Sequence, residues 1–64
     1  MDGTHRKNIK KGSWVFIVLK KDQGPDILTR GQVQDILTSK QFHPRGIKVR
    51  LTTGEVGRVR IVKV

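Results

Sequence analysis

Cysteine is absent from this 64-residue chain, so neither a disulfide framework nor a thiolate metal site can reinforce the fold, and nothing argues for an oxidising compartment. Alanine is absent too, and no window keeps an i, i+3, i+4 apolar pattern for three turns, which removes the usual grounds for expecting a helix. The longest apolar run, Trp14 to Leu19, has six residues. A membrane span needs about 20 and a signal-peptide core at least about 7, so a cytoplasmic protein with no membrane contact is expected. Acidic residues are scarce: five Asp and Glu stand against fourteen Lys and Arg, a formal charge of +9. The two histidines, His5 and His43, have no neighbouring ligands at metal spacing, and neither a GxGxxG nor a Walker pattern is present. With scattered carboxylates and no candidate nucleophile and base pair, no enzyme, metal or cofactor is expected.

What the chain does have is β-branched residues in short runs separated by Gly, Pro and Asp, which predicts an all-β fold. The clearest run is Gly46 to Ile61, GIKVRLTTGEVGRVRI. Ile47, Val49 and Leu51 alternate with Lys48 and Arg50, while Gly57, Val59 and Ile61 alternate with Arg58 and Arg60, giving a hairpin with one apolar and one cationic side. A three-residue loop, Thr52-Thr53-Gly54, with glycine at the left-handed position sets Lys48 across from Arg58. A two-residue loop would set Lys48 against Val59 and spoil both faces.

Earlier in the chain, a strand from about Ser13 to Lys20 is apolar on both faces. It therefore either lies at a barrel closure or leaves Trp14 or Phe16 partly exposed. Lys20 to Leu28 reads as a loop turning at Gly24-Pro25. A second strand, about Thr29 to Leu37, changes phase between Val33 and Ile36, which predicts a bulge near Asp35. Asp35 is expected to be ion-paired or bulged outward rather than catalytic. Ser39 to Arg45 is a second loop, with His43-Pro44 as a rigid turn into the hairpin. Val62 to Val64 reverses phase and could form a short fifth strand.

Four or five short strands with this loop layout predict a small SH3-like barrel of four to five antiparallel strands, with an OB-fold as the competitor. Residues 12–64 form the expected domain, with Val15, Ile17, Leu19, Val33, Ile47, Val49, Val59 and Ile61 as its core. Residues 1–11 hold four cations and one aliphatic residue, Ile9, and read as a disordered basic tail. Trp14 is expected to cap the core, with stacking on a base as the alternative.

Like charges facing each other across strands destabilise a sheet by up to roughly 1 kcal/mol per pair, so an ordered cationic face points to an anionic partner. The expected function is a small monomeric, non-catalytic nucleic-acid-binding module, with RNA favoured. Candidate contacts are Lys48, Arg50, Arg58 and Arg60 on the hairpin, with Arg45, His43, Phe42 and Arg30 beside it. The alternative is a protein-interaction module docking on an acidic partner or one associated with the ribosome or transcription machinery, through an apolar patch or by strand addition.

Two resemblances support this frame. KKGSWVFIVLKK and LTRGQVQDIL resemble the KOW-type motif of ribosomal proteins and transcription elongation factors, in which a basic-glycine approach leads to a hydrophobic strand, a loop and a Gly-x-Val strand, here Gly31 and Val33. Over nearly the whole chain, IVLKKDQ, LTRGQVQDILT, HPRGIKVRL and GEVGRV resemble the YwbE-like family of small prokaryotic proteins. Gly24-Pro25-Asp26 departs from that family's usual loop. The first resemblance implies an SH3-like barrel near RNA; the second implies family membership without an activity to carry over.

Overall fold

The computed structural model describes residues 3–19 and 27–63. Four strands make one closed antiparallel barrel: β1 (Trp14–Leu19), β2 (Thr29–Ile36), β3 (Lys48–Leu51) and β4 (Val56–Val62). The order is that of the chain, and β4 returns to pair with β1. β1 is thus hydrogen-bonded on both sides, with Val15 opposite Gly31 of β2 and Val62 of β4. β1 thus closes the ring, but its outer face is not buried: Trp14 is left partly exposed, the other outcome that the double apolar pattern allowed.

Alternation decides the core. Val15, Ile17, Leu19, Val33, Ile47, Val49 and Val59 are buried as expected, and Leu51, Ile9 and Val62 join them. The hairpin register is also as expected: Lys48 faces Arg58, and Arg50 faces Val56. The Leu51 N–H donates to Glu55 O at 2.8 Å and the Gly54 N–H to Leu51 O at 2.8 Å, closing a three-residue loop in which Gly54 has φ of 95°. In β2 the register shifts between Val33 and Asp35, the expected bulge.

Four expectations are corrected. Ile61 is 45% exposed rather than core, because β4 carries its own bulge: Ile17 pairs with Val59 and Phe16 with Ile61, so Arg60 and Ile61 both face outward and Val62 turns in. The phase reversal after Ile61 is this bulge, with Val62 still in β4 and no fifth strand among the described residues. Trp14 does not cap the core; it is 44% exposed. Residues 3–11 are not a detached tail. Ile9 is buried, and the Ile47 N–H donates to Gly3 O, the His43 N–H to Thr4 O and the Arg6 N–H to Gln41 O, at 2.8–2.9 Å. A short 3-10 turn (Arg6–Asn8) lies within this arm. The arm is anchored because the Ser39–Arg45 loop leaves backbone groups that a neighbouring extended segment can satisfy. The turn expected at Gly24-Pro25 lies outside the described residues.

Gly46 sets the path of the chain into β3. Its φ is 103°, and a Cβ there would run into the Val59 carbonyl oxygen, so only glycine lets the loop pass this close to β4.

Candidate nucleic-acid interface

The bulge and the Gly46 crossing bring cations from separate segments together. A concavity of about 650 Å³ opens between β1, β4 and the segment before β3, and Arg45, Lys48, Arg58 and Arg60 supply its charge. Val18, Leu19, Pro44, Val56 and Gly57 form its apolar floor and walls. No acidic residue is among the described residues that line it. Lys48 and Arg58 are cross-strand partners, and Arg58 Nη1 donates to Gly46 O at 3.1 Å, which fixes one guanidinium edge and leaves its remaining donors to face the concavity. Lys48 is held at the mouth of β3 by its own backbone, whose N–H donates to Thr38 Oγ1 at 2.8 Å.

Arg50, expected in the same cluster, is drawn elsewhere. The β2 bulge turns Asp35 outward, and its carboxylate lies 3.8 Å from both Arg50 Nη1 and Lys11 Nζ. All three side chains are well exposed, so the pairs steer charge more than they stabilise. Arg45 takes the place that the alternation pattern assigned to Arg50. Sequence reasoning placed Arg45 beside the hairpin but had no means of putting its side chain into a cavity with Arg58, since that depends on the left-handed Gly46 reversing the chain.

His43 does not line the concavity itself but directly precedes Pro44 and Arg45, which do. Its Nδ1 accepts the Arg45 backbone N–H at 3.1 Å, which holds the ring in a neutral form. Partial desolvation, and then the positive fields of Arg58, Lys40 and Arg45, lower its pKa from the ordinary 6.5. Phe42 is 51% exposed, but one side of its ring meets His5, with centroids 5.0 Å apart and a backbone bridge between the two residues. It therefore secures the amino-terminal arm. Arg30 stands apart from the hairpin cations, on the outer face of β2, with its guanidinium carbon 5.0 Å from the centre of the Trp14 ring.

Fold and site together define a class: a small closed antiparallel β-barrel with a cationic concavity on its wall. Residues 2–62 match the family described as "Uncharacterized conserved protein (DUF2196)". The chain is 59% identical over 58 residues to "Uncharacterized protein YwbE" of Bacillus subtilis (strain 168), covering 91% of this chain and 89% of that protein. The chain belongs to this YwbE-like family. No solved structure matches it.

Proposed function

We propose that the protein is a small non-catalytic nucleic-acid-binding module, with RNA as its polyanion, that seats backbone phosphates in the concavity between β1 and β4. The observation that carries this reading is the convergence of Arg45, Lys48, Arg58 and Arg60 on one cavity without a counter-charge among its described lining residues. Such an arrangement is unfavourable in isolation and becomes favourable when phosphate oxygens enter, because each cation then releases a counterion from the nucleic acid. Among the described residues no helix is long and apolar enough to cross a membrane, and no group of His, Asp or Glu is fit to hold a metal. A cytoplasmic monomer working beside the ribosome or transcription machinery fits this chemistry.

The exposed Trp14 and Ile61 favour a second reading, docking on an acidic protein. Strand addition is the weaker form of it, since the barrel leaves none of its four strands with an open side.

Salt dependence tests the proposal. Replacing Arg45, Lys48, Arg58 and Arg60 by Gln should remove most RNA affinity and flatten log K against log salt by roughly 0.7 per lost contact on a single strand, about 3 in all. Neutralising Arg6, Lys7, Lys10 and Lys11 should do less. If the second variant loses more affinity than the first at matched charge, the concavity is not the binding site.

A further inference from the structure

The outer face of β1 is built from three large apolar residues that the barrel interior does not use. Trp14, Phe16 and Val18 alternate with the buried Val15, Ile17 and Leu19, so they form a row along one strand. Trp14 is 44% exposed even with Arg30 over its ring at 5.0 Å. Phe16 lies between Arg30 of β2 and the exposed Ile61 of β4, and Val18 is the cross-strand partner of Arg58. Val18 also lines the cationic concavity. The row is therefore continuous with the phosphate site at one end and finishes in an open indole flanked by a cation at the other.

We infer that this face is a base-stacking platform for single-stranded nucleic acid, with Trp14 as its main ring and the strand's backbone seated in the Arg45, Lys48, Arg58 and Arg60 concavity. The inference rests on the nucleic-acid reading and narrows it to single strands. The span fits. Four strand residues cover ~13 Å between Trp14 and Val18, which about four stacked nucleotides bridge at ~3.4 Å each. The chemistry fits as well. An aromatic ring offers a π-face to any unpaired base, whereas in a duplex the bases are already stacked on each other and turned away from a convex barrel wall. Arg30 keeps a positive charge at the platform, so an anionic strand is favoured over an apolar peptide there. The Ile61 side chain, brought outward by the β4 bulge, widens the platform beside Phe16.

The sequence contains one tryptophan and no tyrosine, so intrinsic emission excited near 295 nm reports on Trp14 alone. The test titrates the full chain with a labelled twelve-nucleotide single-stranded RNA and with the duplex it forms with its complement, following label anisotropy and Trp14 emission together. Single-strand binding should quench the emission along the same saturation curve as the anisotropy. Trp14→Leu should weaken single-strand binding roughly 5- to 150-fold, the range for one lost stacking contact, while Trp14→Phe retains most of it. Trp14 is exposed, so both variants should keep the wild-type circular dichroism spectrum. Anisotropy that rises with unchanged emission, equal affinity for the duplex, or a Trp14→Leu variant that binds like wild type would each overturn the platform and leave the phosphate site standing. Quenching by poly-glutamate and not by RNA would assign the face to an acidic protein instead. Absence of any anisotropy change would remove the nucleic-acid reading itself, and the platform with it.

Discussion

The contact between Gly31 and Leu51 can be tested by a double-mutant cycle. Leu51 is fully buried, and a Cβ built on Gly31 would collide with its Cδ1 and stand 3.1 Å from its Cδ2 and Cγ. Gly31→Ala should therefore overpack the core, at about 1–3 kcal/mol, partly offset by about 0.5–1 kcal/mol from replacing glycine in a strand. Leu51→Ala should cost about 3–5 kcal/mol by opening a cavity at the same place. In the double variant the new methyl enters the space that leucine vacated. The two changes should then be less than additive, with an interaction of about 1–2 kcal/mol in favour of the pair. A 64-residue domain holds on the order of 3–10 kcal/mol in total, so the cycle is repeated with Leu51→Val should Leu51→Ala unfold outright. Urea unfolding followed by circular dichroism reads the result. With m near 1 kcal/mol/M, the coupling appears as a midpoint displaced by about 1–2 M from additivity. Additivity within about 0.5 kcal/mol would mean that Leu51 does not roof Gly31, and the packing of β2 against β3 would be other than the structure has it.

The β4 bulge predicts a sharp contrast between neighbours: Val62→Ala should cost about 1–3 kcal/mol, while Ile61→Ala should stay within about 1 kcal/mol, as thermal melts of the two variants will show. A continuous alternation through β4 would reverse that order. The lowered pKa of His43 predicts a pH effect whose sign is fixed. The folded state prefers the neutral ring, so its contribution is intact above the ordinary 6.5 and is lost as pH falls below it. The melting temperature of wild type should drop further between pH 7 and 5 than that of His43→Gln. In RNA binding the sign is opposite, because phosphate beside the ring favours its protonation. Affinity should rise as pH falls through that window in wild type, and a flat difference between the two proteins would place His43 away from the ligand.

How far the sequence can be read depends on how local each signal is. The β3–β4 hairpin is legible because alternation and turn chemistry are written within one short segment: Gly54 sets the loop, the loop sets the register, and the register sets Lys48 against Arg58. The β2 bulge is legible for a similar reason, since Val33 and Ile36 cannot both point inward on one unbroken strand. The bulge at Arg60 is legible only as a phase reversal at Val62, which spacing alone does not distinguish from the start of another strand; that two outward residues stand in succession within β4 is specified by β1, which lies across the closure and far away in sequence. Ile9 carries no signal of its own, since one aliphatic residue among lysines gives no period; it is buried only because the loop containing Gln41 and His43 offers the arm backbone partners. Arg45 and Arg50 exchange places in the site for the same kind of reason. Asp35 captures one and Gly46 redirects the other, and neither event is visible in the spacing of the cations.

The pairing of β1 with β4 also sets the order of events in folding. A nascent chain emerges at about 5–20 residues per second, and a β-hairpin forms in about 1–10 μs, so β1–β2 and β3–β4 each have ample time to pair as soon as both of their strands are free. The β1–β4 ladder joins the first and last of the described strands, Val15 to Val62, and is the contact of longest sequence separation in the ring. Its loop-closure entropy must be met before any of its hydrogen bonds form, which makes it the slow step. Until then Trp14 to Leu19, the most apolar segment of the chain, is paired along one side only. The interval between the pairing of β1 with β2 and the arrival of β4 is when this protein is most exposed to aggregation, so Val62→Ala, which weakens the closing ladder, should raise light scattering during refolding more than Ile61→Ala does.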